Sequence, residues 1–107
     1  MSREKTEEEV RKEFFNYLKV LIDHWSNVPN ETDREKIEGY THSLLAMIDG
    51  CAVDMCGFVL SPVVHESDKD FCIKNNKNYY PENDISDIKC DIAGNLHVQF
   101  YLNSLNK

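Results

Sequence analysis

The chain has 107 residues, of which 41% are hydrophobic and 29% are charged, so it fits a single globular domain with a modest core. Its 19 acidic and 12 basic side chains give a formal net charge of −7. Nucleic acid and anionic membranes are therefore disfavoured as partners, because like charges repel, whereas a basic protein would be attracted. We expect one domain over residues 1–107, with frayed ends at 1–5 and 104–107.

The beginning of the chain predicts a cytoplasmic protein. The first nine residues are largely charged and lack the apolar stretch of a signal peptide. No later stretch approaches the ~20 apolar residues that a membrane span needs. Disulfides are not expected in that compartment, so we predict free thiols that pack as small hydrophobic groups. These are Cys51, Cys56, Cys72 and Cys90.

The first predicted helix begins at Thr6, because Thr followed three residues later by Glu9 has the pattern of a capping box. It should end near Asn27, ahead of Pro29. Apolar residues recur every three or four positions and predict a core-facing stripe. The stripe consists of Val10, Phe14, Tyr17, Leu18, Leu21, Ile22 and Trp25.

A second capping box, Thr32 with Glu35, begins a helix that we expect at the centre of the fold. Its apolar stripe consists of Ile37, Tyr40, Leu44, Met47 and Ile48. Small residues also recur at intervals of three or four, which favours close approach of another backbone. These structural positions are Gly39, Ser43, Ala46 and Gly50.

Two short strands are predicted after Gly50. Residues 57–64 are rich in Val, Phe and Leu, and Pro62 makes this an edge strand or a bent one because proline has no amide proton. Asp70 to Lys74 forms the second candidate strand. An exposed sheet edge can pair with another chain, so the first strand predicts an interface. Its residues would be Phe58, Leu60 and Val63.

A third long helix is predicted to begin at Asn83 or Asp84, which are good N-cap residues. Its apolar positions would be Ile85, Ile88, Ile92, Leu96 and Phe100, with Gly94 as an interruption. The expected fold class is therefore α+β, with three main helices packed against one or two short antiparallel strands.

One set of residues could bind a metal ion between helices. Carboxylate and imidazole groups are metal ligands, and Glu38 and His42 share a helix face because they are four residues apart. Asp49 and His97 would complete the site. The alternative is that both histidines are hydrogen-bonded residues of a helix interface. The sequence has no clear nucleophile–base pair or phosphate-binding loop, so we expect no cofactor and favour a non-enzymatic protein.

Two segments, EGYTHSLLAMIDG at 38–50 and DIAGNLHVQFY at 91–101, carry a resemblance. They resemble a group of small uncharacterised proteins of bacteria and their phages. The resemblance implies a bacterial or phage origin and no mechanism. The positions that match the group are Glu38, Gly39, Ser43, Asp49, Gly50, Leu96, His97, Phe100 and Tyr101.

Two functions remain open on the sequence. The first is a small cytosolic interaction or accessory protein, whose partner is another protein or a second copy of itself as a homodimer. The second is a small metal-binding or metal-assisted hydrolytic domain whose ligands would be Glu38, His42, Asp49 and His97. Small size and an acidic surface favour the first function, and convergence of the histidines on one cavity would favour the second.

Overall fold

The computed structural model describes residues 2–83 and 86–105, and over these residues the chain forms four helices and no strand. The expected α+β class is therefore wrong, and the described fold is all-α. The helices are α1 at Glu7–Ser26, α2 at Asp33–Ile48, α3 at Asp68–Lys74 and α4 at Leu96–Leu105. Helix α2 lies at the centre and packs against both α1 and α4.

The starts of α1 and α2 confirm the two predicted capping boxes. The Thr6 hydroxyl accepts a hydrogen bond from the Glu9 N–H at 3.1 Å, and the Glu9 carboxylate accepts one from the Thr6 N–H at 2.9 Å. Thr32 and Glu35 repeat the arrangement at 3.1 and 2.8 Å. Each box satisfies amides that a helix start otherwise leaves without partners.

The end of α2 is a tight left-handed turn at Gly50, whose φ is +86°. The Gly50 N–H donates to the Met47 carbonyl at 3.0 Å, and the Cys51 N–H donates to the Ala46 carbonyl at 2.9 Å. This pair of bonds is a Schellman motif, which needs a residue that tolerates positive φ. A side chain at Gly50 would also crowd the backbone of Gly57, which passes close by.

The predicted strand at 57–64 is an irregular segment. The Phe58 N–H donates to the Ile48 carbonyl at the end of α2, and the Leu60 N–H donates to the Asp91 side chain, each at 2.9 Å. These amides are therefore paired with a helix end and a side chain, not with a neighbouring strand. Because residues 57–64 do not form a strand, Phe58, Leu60 and Val63 do not provide a sheet edge for pairing with another chain. Val63 is nevertheless fully exposed.

The second predicted strand, Asp70 to Lys74, lies inside α3. Asp68 and Asp70 occupy the first turn of this helix, and Lys74 occupies the last turn. Acidic groups at the N-terminus and a basic group at the C-terminus both stabilise a helix through its dipole. This charge order outweighs the alternation of Phe71 and Ile73 that suggested a strand.

The predicted third long helix begins about a dozen residues later than expected. Asp84 and Ile85 lie outside the described residues, while Ile88 and Ile92 lie in irregular chain, and α4 begins only at Leu96. Gly94 has a φ of +120°, which a right-handed helix cannot contain. The helix can therefore begin only after this residue.

The Asn83 side chain joins two other segments, and none of the helices in the described ranges begins beside it. Its side-chain oxygen accepts from the Lys89 N–H at 2.8 Å, and its amide group donates to the Ser61 hydroxyl at 2.6 Å. The Asn83 side chain thus links residues 89–90 to the 57–64 segment.

The molecule is flat and leaves much of its surface open. Its radius of gyration is 17.7 Å and its extents are 51 × 51 × 19 Å, whereas a compact chain of this length has a radius of about 13 Å. The accessible surface is 8861 Å², against roughly 6,200 Å² for a folded monomer of this mass. Among the described residues, the buried hydrophobic side chains are Leu21 and Met47. None of the helices within the described residues combines the length and the hydropathy of a membrane-spanning segment.

Candidate functional site

The most buried polar cluster joins the end of α2 to the start of α4. Asp49 is the C-cap of α2, and its side chain is fully buried. One carboxylate oxygen accepts from the Gly94 N–H at 2.7 Å. The other accepts from the His97 N–H at 2.9 Å and from the His97 ring Nδ1 at 2.5 Å. We call Asp49, Gly94 and His97 the interhelix clasp.

The clasp keeps Asp49 ionised. Burial acts to raise the pKa of Asp49, because a carboxylate loses its hydration in the interior. Hydrogen bonds from the His97 side chain, and from the backbone N–H groups of His97, Leu96 and Gly94, act in the opposite direction and together hold the pKa well below its usual range. The resulting anion faces the positive end of the α4 dipole and satisfies its free amides.

His42 completes a row of three side chains. Its ring meets the His97 ring edge to face, with centroids 5.5 Å apart and an interplanar angle of 81°. Because an ionised carboxylate can only accept, the His97 ring donates from Nδ1 to Asp49. The structure therefore brings together three of the four proposed metal ligands, as a hydrogen-bonded pair with an aromatic neighbour.

Glu38, the fourth proposed ligand, is engaged elsewhere. Its carboxylate accepts from the Arg34 guanidinium at 2.7 Å in an exposed ion pair one helical turn away. In the part of the chain that the structure describes, no three His, Cys, Asp or Glu side chains are grouped so as to hold a metal ion. The hydrogen bond between His97 and Asp49 agrees, for His97, with the alternative of a hydrogen-bonded histidine at a helix interface, and the metal site stays a prediction.

The small residues of α2 make room for Trp25. A Cβ at Gly39 would overlap the Trp25 ring, and the Trp25 Nε1–H donates to the Ser43 hydroxyl at 3.0 Å. Gly39 and Ser43 therefore set the distance between α1 and α2, whereas Gly50 serves the turn at the end of α2.

An open groove lies beside this contact. It has a volume of about 550 Å³ and lies between the last turns of α1 and the first turns of α2. Ile22 is 50% exposed and Ile37 is 65% exposed, although the sequence predicted both for the core. We call it the α1–α2 groove. It is lined by Ile22, Trp25, Ser26, Asp33, Lys36, Ile37 and Tyr40.

A second open cavity, of about 560 Å³, lies near the start of α1. Phe14 packs edge to face against Phe58, with ring centroids 5.5 Å apart, and Phe15 is 52% exposed beside them. The nearby charges are already paired, since Lys5 contacts Glu13 at 2.7 Å and Arg11 contacts Glu7 at 2.8 Å.

Neither surface is apparent from the sequence, because helical periodicity identifies an apolar face without showing whether another element covers it. No protein-family model, curated protein or solved structure matches this chain. The resemblance to small bacterial and phage proteins therefore stays a prediction.

Proposed function

We propose that this chain is a small interaction or accessory protein that completes its fold by binding another protein chain. The observation that carries the proposal is the open shape of the molecule, whose accessible surface of 8861 Å² exceeds that of a compact monomer by roughly 2,700 Å². Monomeric proteins seldom expose large contiguous apolar patches, and such patches mark interaction sites.

Exposed apolar side chains on several elements support the proposal. Ile37 on α2, Phe71 on α3 and Tyr101 on α4 are 65%, 59% and 55% exposed. Full burial of a large apolar side chain is worth about 1.5–3 kcal/mol, so covering one that is a little over half exposed would supply about 1–2 kcal/mol. A partner that covers several of them would therefore supply free energy comparable to the whole stability of a small domain.

The clasp supports a structural role for the buried polar residues. Asp49 has its oxygens engaged by the N–H groups of Gly94 and by the backbone and ring of His97. Its chemistry is used to hold α4 on α2, and the cavities described above lie along α1. A bacterial or phage origin and a cytoplasmic location belong to the same proposal, and the origin rests on the resemblance of residues 38–50 and 91–101.

Photo-crosslinking in the cell that makes the protein tests the proposal. A benzophenone amino acid is placed at Ile37, Phe15 or Tyr101 in separate variants, and at the exposed polar residue Lys12 as the matched control. Discrete protein adducts at the apolar positions, with much weaker ones at Lys12, are expected. Absence of protein adducts at all the apolar positions would contradict an interaction role.

A further inference from the structure

Two cysteines, Cys51 and Cys56, stand on opposite sides of a short loop that follows α2. We infer that this loop is a redox-sensitive site, at which the two thiols form a reversible disulfide with each other. The sequence predicted that all four thiols would pack as small hydrophobic groups, but these two are exposed and free, whereas Cys72 and Cys90 are partly buried. The inference concerns a covalent modification and does not depend on the proposed interaction function.

A contact between two glycine backbones closes the mouth of the loop. A Cβ built on Gly50 would lie 3.2 Å from the Cα of Gly57, and one built on Gly57 would lie 3.2 Å from the Cα of Gly50. Because a carbon–carbon bond is about 1.5 Å long, the two Cα atoms are less than about 5 Å apart. Each cysteine is the next residue from this contact toward the apex of the loop. Disulfides join Cα atoms that are about 4.4–6.8 Å apart, so the loop mouth already has the width that a disulfide needs.

Backbone hydrogen bonds hold both sides of the loop in place. The Cys51 N–H donates to the Ala46 carbonyl, and the Phe58 N–H donates to the Ile48 carbonyl, each at 2.9 Å. Phe58 also packs edge to face against Phe14 of α1, with ring centroids 5.5 Å apart. The folded chain therefore keeps the two sides together, so closing the disulfide costs little further loop entropy.

The apex of the loop is open to solvent and reverses the chain in four residues, 52–55. Asp54 takes up the reversal with a φ of +64°, and Val53 is 80% exposed. Nothing packs over the apex, so the Cys51 and Cys56 side chains can rotate toward each other without displacing the core. Exposure also gives a small oxidant access to both sulfur atoms.

A disulfide of low molecular weight, such as glutathione disulfide, is the oxidant that this site requires. One cysteine gives its proton to solvent, and its thiolate attacks a sulfur of the small disulfide, so that one small thiolate leaves and a mixed disulfide forms. The other cysteine, also as a thiolate, attacks the protein-bound sulfur and expels the second small thiolate. Two protein thiols are oxidised to one disulfide, and one small disulfide is reduced to two thiols.

The same features make the bond reversible. A disulfide between these cysteines encloses only six residues, and the stabilisation that a disulfide provides decreases with the length of the loop that it closes. Exposed disulfides are also the ones that small thiols reduce readily. In a reducing compartment such bonds are usually transient and sense the redox state.

Oxidation of the full chain in glutathione buffers, followed by alkylation and trypsin digestion, tests the inference. Trypsin cuts after Lys36 and Lys69, so both cysteines of the loop lie in the peptide 37–69, while Cys72 and Cys90 lie in two other peptides. Mass spectrometry should find the peptide 37–69 without alkyl groups and two hydrogen atoms lighter. The other two cysteines should stay alkylated under the same conditions and serve as internal controls.

Comparison with the unfolded chain shows whether the fold is responsible. The equilibrium constant for oxidation of the pair should be about tenfold or more larger in buffer than in concentrated urea, because the folded chain holds the two sides of the loop together. By linkage, the same factor should raise the folding equilibrium constant of the oxidised chain over that of the reduced chain.

Three variants complete the design. Cys51→Ser and Cys56→Ser should each abolish the lighter peptide, and both positions are exposed, so the fold should be kept. Cys72→Ser is the matched control and should leave the equilibrium constant of the pair within about twofold of the wild type. Circular dichroism checks that the helix content of each variant is unchanged.

Three results would overturn the inference. The first is alkylation of both loop cysteines at every glutathione ratio. The second is a disulfide that joins either of them to Cys72, to Cys90 or to another chain instead of to each other. The third is an equilibrium constant that is no larger in buffer than in urea, which would show that the fold does not bring the two thiols together.

Discussion

Asp49 connects α2 to α4 through its backbone and its side chain. Its backbone ends α2, while its carboxylate accepts hydrogen bonds from the N–H of Gly94, two residues before α4, and from the N–H of His97 in the first turn of α4. An ionised carboxylate can accept several hydrogen bonds at both oxygens, whereas an amide offers one acceptor oxygen and one donor group. The clasp therefore depends on the negative charge of Asp49 as well as on its shape.

Asp49→Asn should lower the free energy of unfolding by about 2–3 kcal/mol, since hydrogen bonds to a charged group are lost and one N–H of the clasp faces an NH₂ group. Urea denaturation followed by circular dichroism measures the change. Asp23→Asn, an exposed residue of α1, is the control and should change the stability by less than about 0.5 kcal/mol. Equal effects of the two variants would show that the clasp does not stabilise the fold.

The clasp also predicts how stability depends on acid. The pKa of Asp49 is lowered in the folded protein from its ordinary value of 3.8, so its stabilising contribution is complete above about pH 5 and is lost as the pH falls toward the folded pKa. The free energy of unfolding should therefore decrease between pH 4 and pH 2, as about one proton binds to Asp49 on unfolding.

Comparison with two variants isolates this titration. Asp49→Asn should have a shallower decrease over the same pH range, because the titrating group is gone. Glu9 is half-exposed, and its pKa is lowered to about 2, chiefly by a hydrogen bond from Arg3. Glu9→Gln should change the slope less than Asp49→Asn does, since exposed pairs are weak. The opposite order would place the acid sensitivity at the start of α1.

At the scale of the elements, α1 and α2 were predictable because their signals are local. Each begins with a capping box of four residues and continues with apolar residues at helical spacing. The start of α4 was not predictable in this way. Its amides are satisfied by Asp49, and a partner so distant along the chain leaves no local pattern.

Helix α3 shows a second limit of predicting helices from the sequence. Phe71 and Ile73 alternate as in a strand, and a helix of seven residues is too short to show a helical period. The charge order of Asp68, Asp70 and Lys74 was the signal that could have identified it. Likewise, the sequence placed Glu38, His42, Asp49 and His97 in one candidate site. Only the structure shows that Asp49 is hydrogen-bonded to His97 and that Glu38 is paired with Arg34 elsewhere.

The contact between α1 and α2 predicts a coupled effect of two residues. Gly39→Ala places a methyl group where the Trp25 ring lies, and the overpacking should cost about 1–3 kcal/mol, partly offset by about 1 kcal/mol of helix propensity. In a Trp25→Leu background the clash is relieved, so the same Gly39→Ala change should be neutral or stabilising. A double-mutant cycle of urea unfolding free energies measures the coupling, and additive effects would contradict this contact.

At the scale of the whole molecule, the flat shape explains why some side chains that were predicted to be buried are exposed. The apolar stripes of the helices are real, but Ile22 and Ile37 are left in an open groove because α2 is covered by α1 and α4 and the described chain supplies no further layer there. A flat arrangement 19 Å thick cannot enclose a large core. Another protein chain would provide the missing layer.

Small-angle X-ray scattering tests this open shape most directly. It is recorded on the Ile37→Glu variant, on column fractions whose forward scattering corresponds to a single chain. The account predicts a radius of gyration near 17.7 Å, with apolar surface that binds a hydrophobic dye. A radius of about 13 Å, which is that of a compact domain of this length, together with no dye binding, would show that the chain closes its own core and would contradict the proposed function.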